Sequence, residues 1–566
     1  MKPAIFVLGP SAMPLATRLK AGLSGEIHAP AGGDVTYAKA AAHLATLFRA
    51  GRPIIGLCAS GILIRAVAGE LADKHSEPPV VAVAEDGSSA VPLLGGHHGA
   101  NDLARRIANL TSGHAAVTTA SEVRFDQAFD VAPEGHVLAN PEHMKAATAA
   151  RLAGHPVMIE TTEQRRQGNE HHIVYHPKTL IVGLGAARGA PADEVIALVT
   201  ETLERHDLAA QSIAGFASLD LKADEPGLHA AARHFNAPFT FFTADALNAE
   251  AHRIPNPSDI VAREVGTPGV AEAAALAAAG PDATLIAEKA KGARVTCAIA
   301  KAPDPLLALP GQRQGLLHVV GIGPGTPDWR SPAAALALES ASDWVGYGLY
   351  LDLVADLHVD QAEHRFPLGG EEDRVRAAIA LAKEGKEVAL ICSGDAGIYA
   401  MAALVYEVID LEPSRIAVNV IPGISAFQAA AAKAGAMIGH DFCCISLSDL
   451  LTPWEVIEKR LHAAAQGDFV ISFYNPRSLK RRDQLERAFA ILKQHRKPET
   501  PVVIASNLGR PEEQVKIVRF ADFNPDDVDM LTLVMVGSSI TTSFARGDGK
   551  TYAYTPRGYA KKRNIS

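Results

Sequence analysis

The chain has 566 residues, 48% hydrophobic and 21% charged, with a formal net charge of −9. That length exceeds one domain and predicts about three to five. The balance is ordinary for soluble α/β proteins and argues against nucleic-acid binding. No apolar run reaches the ~18 residues of a membrane span and no signal peptide opens the chain, so a cytoplasmic location without membrane contact is expected. Cys58, Cys297, Cys392, Cys443 and Cys444 form no metal-spaced set. No metal is expected, and Cys443-Cys444 reads as a reduced pair in a strand.

Residues 4–8 read as a strand, followed by Gly9-Pro10 and an amphipathic helix. A second strand at 53–58 meets Ala59-Ser60-Gly61 and a helix through Leu71. A third at 80–84 ends at Glu85-Asp86-Gly87. This alternation predicts a parallel sheet with helices on both faces, whose ligands sit at the carboxyl ends of strands. Ser60, Gly61, Glu85 and Asp86 fall on that edge. In the stretch 93–104, LLGGHHGANDLA, glycines bracket His97 and His98, and Asn101 can cap the next helix. Adjacent histidines rarely ligate one metal. Two readings stand: a capped loop with solvated histidines, or a binding or acid/base role for either imidazole.

Residues 126–178 are weakly patterned and read as an exposed connection or a reduced middle module. A strand at 180–184 restarts the α/β pattern, with a glycine turn at 185–189 and a helix from Asp193. Further strands are read at 213–218, 285–289 and 295–300. The stretch 302–314, APDPLLALPGQRQ, is rich in prolines and reads as a linker.

The stretch 316–327, LLHVVGIGPGTP, is a buried strand running into a glycine loop, and Ser331-Pro332 opens a helix. Such a loop lets a ligand approach the backbone. A dinucleotide fits poorly, because the next strand ends in Tyr347-Gly348 rather than an acidic residue. Pro324 lacks an N–H, and no Lys-Ser/Thr pair follows the glycines of a would-be P-loop.

Downstream lie LICSGDAGIY (390–399), VIPGISA (420–426), ISLSDLLTPW (445–454) and VISFYNP (470–476). In order and spacing these resemble the tetrapyrrole methylases, and SLSDLLTPW with SFYNPRS resembles the precorrin-3B C-17 methyltransferase branch. Residues 62–121, with LLGGHHGAN and VTTAS, resemble the N-terminal part of the cobalt-precorrin-5A hydrolase family. Residues 179–303 resemble that family's C-terminal domain. Three departures stand out: Glu85-Asp86-Gly87-Ser88 replaces an acidic-Gly-Arg segment, GGHHGAN replaces SGH-x-GGAN, and the middle module is short.

The resemblance implies an α/β multidomain chain, with N-terminal parallel α/β modules followed by a two-lobed tetrapyrrole methylase fold. The expected divisions are 1–125, 126–178, 179–303, a linker at 304–315, and lobes at 316–436 and 437–566. It implies S-adenosyl-L-methionine as cofactor and a polycarboxylated tetrapyrrole as substrate, in a homodimer formed through the methylase domain. The implied reaction is methylation of precorrin-3B at C-17 with ring contraction to precorrin-4, in corrin synthesis. The N-terminal half is either a lactone-opening hydrolase or a non-catalytic carrier, and a cobalt-containing substrate is the alternative.

The implied cofactor contacts are Gly323, Pro324, Gly325, Ser393, Gly394, Asp395, Ile398, Ser425, Ala426, Asn475 and Leu508. Ala396 stands where the family often has proline. Ring contraction calls for an acid or base near the macrocycle. The candidates are Asp395 and His440, with Ser448 and Asp449 in the family-specific block. Arg477, Lys480 and Arg481 offer cations to substrate carboxylates. In the N-terminal half the candidates are His97, Glu225 and Glu272, with Lys222 and Lys289 beside them.

Overall fold

The structure is a computed structural model that describes residues 2–71, 77–118, 132–478 and 482–559. The first sheet has seven strands, opening with Ala4–Val7, and it is parallel through the pairs that join Ala4–Val7, Ile54–Leu57 and Val80–Val83. The next pair on that side runs the other way, and the edge strand His114–Ala115 then lies parallel to its neighbour. Val80–Val83 turns through residues 84–88 into Ser89–Leu94 as an antiparallel hairpin. A turn that short leaves no room for a parallel crossover, so the expected all-parallel sheet gains an antiparallel strand.

Residues 132–178 carry the helix Met144–Leu152 and a three-stranded sheet. Met144, Ala147, Ile173 and Tyr175 bury a small core of their own. The weakly patterned stretch is therefore a reduced module rather than an exposed connection. Its few apolar residues lie far apart in sequence and meet only on folding.

A five-stranded sheet follows, centred on Leu180–Ala186. Its far edge is the antiparallel pair Thr284–Lys291 and Val295–Lys301, again a hairpin. The linker does not hang free. Phe241 N donates to Gln312 O at 2.8 Å, and Gln312 N donates back to Phe241 O at 2.9 Å. Gln314 Nε2 donates to Arg415 O, and Asp224 pairs with Arg415 at 3.0 Å. Backbone pairing of this kind fixes a proline-rich segment that cannot form its own ladder.

The last two large sheets have five strands each. In the first, all parallel, the order places Leu316–Gly321 between Glu387–Cys392 and Ala417–Ile421. The second is mixed: Phe442–Ser446 runs parallel to Val470–Tyr474, whereas Pro501–Ser506 and Thr532–Val536 pair antiparallel. Leu316–Gly321 and Glu387–Cys392 are buried along all but their first residue, which is why they are mostly apolar. Cys443 and Cys444 lie in a strand and all five cysteines are free. Among the described residues no helix is long and apolar enough to cross a membrane.

Candidate functional site

The order of the parallel sheet builds the site. Neighbouring strands are about 4.8 Å apart, so the turns leaving their carboxyl ends must meet. The turns after Leu316–Gly321 and Glu387–Cys392 join backbone to backbone. Gly323 N donates to Gly394 O at 3.1 Å, and Gly394 N donates to Gly323 O at 2.8 Å. Both glycines have positive φ, +77° and +72°. A Cβ on Gly323 would lie 2.7 Å from Trp329 O. A Cβ on Gly394 would meet nothing nearer than Ser425 Cα, 3.8 Å away. The space left by that absent side chain faces Ser425 and Ala426, at the start of the helix Ala426–Ala434.

The second lobe closes the site from above. Leu508 is buried in a cluster with Phe427 and Met535, against which Ile398, Ala426 and Tyr474 pack. Gly325 lies against Gly509 and Arg510. Asn475, with φ +49°, ends the strand Val470–Tyr474 and donates from Nδ2 to Ser446 Oγ at 3.2 Å. Turns and helix starts far apart in sequence, carrying Gly323, Gly325, Gly394, Ile398, Ala426 and Leu508, thus lie near one another where the two lobes meet.

Asp395 has both carboxylate oxygens engaged by backbone. Oδ1 accepts from Gly397 N at 2.8 Å and Oδ2 from Gly423 N at 3.0 Å. That ties the 393–397 turn to the turn after Ala417–Ile421. The geometry makes Asp395 a fastener of loops rather than a free acid or base. Ser448 N donates to Ser446 Oγ, and Asp449 Oδ2 accepts from Gln484 Nε2 at 2.8 Å. Both lie on the loop that leaves the carboxyl end of Phe442–Ser446, on the cleft side.

His440 does not belong there. It precedes Phe442–Ser446 and pairs with Asp441 Oδ2 at 3.1 Å in the open. Ser446, at the far end of that strand, is six residues on, roughly 20 Å at the usual rise. The glycine before it suggested a functional turn, but the turn is at the wrong end of the strand. Arg477 is also otherwise engaged: it donates to Pro525 O at 2.7 Å and pairs with Asp526 at 2.8 Å. Lys480 and Arg481 lie outside the described residues, as does the side chain of His97.

Glu225 and Glu272 stand in the preceding domain, apart from the cleft. Glu225 is 2% exposed, accepts from Gly189 N at 2.9 Å and lies 3.1 Å from Arg188 Nε, with Lys222 at 3.7 Å. Glu272 is 1% exposed and accepts from Asn256 Nδ2 and Lys289 N. Each carboxylate holds its own loop.

Two residues escaped the sequence reading. Tyr474 has its phenol pushed up to about 12 by burial, and Phe427 N donates to its oxygen. Arg510 reaches from the second lobe onto both glycine turns: Nε donates to Pro324 O at 3.2 Å and Nη2 to Ser393 Oγ at 3.0 Å. Its neighbour Leu508 was the only available signal.

Comparison with known proteins matches this region. Residues 316–524 fit the family description "Tetrapyrrole (Corrin/Porphyrin) Methylases". Residues 42–122 fit "Cobalamin synthesis G N-terminal", and 180–300 fit "Cobalamin synthesis G C-terminus". A probable cobalt-factor III C(17)-methyltransferase of Salmonella typhimurium is 46% identical over 244 residues, 43% of this chain and 99% of that relative. The chain belongs to the tetrapyrrole methylases. A precorrin-3B C(17)-methyltransferase of a Sinorhizobium species is 40% identical over 249 residues, 44% of this chain and 98% of that one. The chain spans about half (51%) of a fused mycobacterial cobalamin biosynthesis protein, CobIJ. The crystal structure of the methyltransferase CobJ is 39% identical and covers 43% of this chain and 100% of its own, with a TM-score of 0.40. This tetrapyrrole methylase is thus a methyltransferase of cobalamin biosynthesis joined to two cobalamin synthesis G modules, and its family uses S-adenosylmethionine.

Proposed function

We propose that the two methylase lobes transfer a methyl group to C-17 of precorrin-3B and contract its ring, giving precorrin-4. The observation that carries this reading is the cleft formed by the Gly323–Gly394 pairing, with room beside Gly394 toward Ser425 and Ala426. That cradle of backbone groups and small side chains suits a nucleoside-bearing sulfonium without a pyrophosphate. When bound, S-adenosylmethionine supplies an electrophilic methyl group for in-line displacement by the ring carbon. The protein's part is alignment and exclusion of water.

In this reading Pro324, Ser393, Gly394, Ile398, Ser425 and Ala426 hold the methionine and ribose end, and Asn475 and Leu508 hold the adenine. Ser448 and Asp449 face the macrocycle from the second lobe. Asp449 is the exposed carboxylate on the cleft side, and it is the group proposed to move the proton during ring contraction.

Calorimetry with S-adenosylhomocysteine tests the cofactor site. Incubation of purified protein with S-adenosylmethionine and precorrin-3B, read by mass spectrometry, tests the reaction: one added methyl group supports it, and no product sinks it. The cobalt-containing substrate is the second reading, favoured by the likeness to the probable cobalt-factor III C(17)-methyltransferase of Salmonella. The same assay with cobalt-factor III decides between them by kcat/KM.

For the N-terminal half we infer a precorrin-handling role, either lactone opening or carriage. Support comes from the two cobalamin-synthesis modules. Release of acetaldehyde from a lactone-bearing corrinoid would establish hydrolysis, and tight binding without turnover would establish carriage. We further propose a homodimer through the methylase domain. The edge strand Thr542–Ala545 is exposed along its length, with its Phe544 48% exposed and Tyr554 of the neighbouring strand 39% exposed. Light scattering after gel filtration reads the mass directly. A net charge of −9 and five free cysteines support a cytoplasmic enzyme without nucleic-acid partners.

A further inference from the structure

Arg510 is half-buried between the lobes, and among the described residues no carboxylate pairs with it. Its acceptors are a backbone carbonyl and a hydroxyl, both neutral. They engage Nε and Nη2, and Nη1 donates to no described residue. Burial lowers the guanidinium pKa, as expected of a cation short of solvent and of a counter-charge. Two other buried arginines have a carboxylate beside them, whereas Arg374, 3% exposed, donates to Pro367 O with no carboxylate paired to it among the described residues. Arg496 donates to several carbonyls and lies 3.1 Å from Asp468, and Arg330 forms a forked pair with Asp356. A partly buried guanidinium without a carboxylate is costly unless an anion arrives with the ligand.

We propose that Arg510 binds a carboxylate group of a ligand in the cleft, through its Nη1 edge. The inference rests on the methylase reading above. Two sources present this chemistry there: the methionine carboxylate of the cofactor, and an acetate or propionate arm of the tetrapyrrole. The two fastening bonds to Pro324 and Ser393 aim the planar fork, a task a lysine cannot share because it offers no fixed pair of donors.

The test uses the full chain, with Arg510→Met and Arg510→Lys beside the wild type, after thermal melts establish that each folds. Calorimetry compares S-adenosylhomocysteine with 5′-methylthioadenosine, which lacks the carboxylate. If the cofactor is the source, Arg510→Met weakens S-adenosylhomocysteine at least tenfold and methylthioadenosine by less than threefold, and Arg510→Lys recovers part of the loss. If the substrate is the source, both nucleosides bind as before and KM for the tetrapyrrole rises at least tenfold. Equal weakening of both nucleosides with tetrapyrrole KM unchanged would reduce Arg510 to a loop fastener and overturn the proposal. So would unchanged binding and KM in both variants. Wild-type protein that binds neither S-adenosylhomocysteine nor a tetrapyrrole would overturn the methylase reading itself, and the proposal with it.

Discussion

Gly323 and Gly394 hold each other by two backbone hydrogen bonds, 3.1 Å and 2.8 Å long, though 71 residues apart. Everything assigned to the cofactor hangs on that pairing. A side chain at Gly323 would meet Trp329 O and would also be strained at a φ of +77°. Gly323→Val is therefore expected to separate the turns and to weaken S-adenosylhomocysteine by at least about tenfold, or roughly 1.4 kcal/mol. Calorimetry on a variant whose melting shows a folded methylase region gives the answer. Wild-type affinity in the variant would move the cofactor elsewhere.

Asp395 yields a prediction of a different kind. Both its oxygens accept from backbone N–H groups. In Asp395→Asn, one of those N–H groups faces an NH₂ instead, at a cost of about 1–3 kcal/mol. Cofactor affinity should fall, while the shape of the pH–rate profile stays the same, since a fastened carboxylate moves no proton. Loss of one limb of the profile would restore Asp395 as the acid or base.

The clasp between domains should be weak. Asp224 and Arg415 are each more than a third exposed, and Asp224 is shared with Arg188. Such pairs contribute about 0–1 kcal/mol. Asp224→Ala is expected to leave S-adenosylhomocysteine binding unchanged and to speed proteolysis within the 302–314 linker by no more than a few-fold. A large loss of cofactor affinity would instead mean that the first half supports the cleft directly.

Acid should loosen the N-terminal domain. His28 is 2% exposed, with Nδ1 2.8 Å from His43 Nε2. Burial, with Arg52 and His43 adding to it, brings its imidazole down to about 4. Burial also lowers His43. In the unfolded chain such a group titrates near 6.5, so between the two values the unfolded state holds more protons. Stability from His28 is complete above about pH 6.5 and is lost as pH falls toward 4, by up to roughly 3 kcal/mol. Thermal melts at pH 4.5 to 7 should show that slope, and His28→Leu should flatten it. An unchanged slope would place the sensitivity elsewhere.

Much was legible before any coordinates. The largely apolar run that opens 316–327 marked a buried strand. Glycines at 323 and 394 marked turns, because only a chain without Cβ takes those shapes cheaply. Motif order and spacing pointed to the family, and the resemblance supplied the proposed cofactor contacts. His440 was misplaced because sequence shows that a turn exists without showing which end of a strand it caps. Arg477 looked free because its partners, Pro525 and Asp526, lie some fifty residues downstream.

What the sequence determined by itself was therefore local: periodicity, turns and a family pattern, all set by residues close together along the chain. What only the tertiary structure decided was pairing. Asp395 became a fastener, Arg510 reached the glycine turns from the other lobe, and Gln312 of the linker was paired with Phe241. Those outcomes depend on which distant groups satisfy buried donors and acceptors. That matching is fixed by how sheets and lobes pack in space, and no local stretch of sequence encodes it.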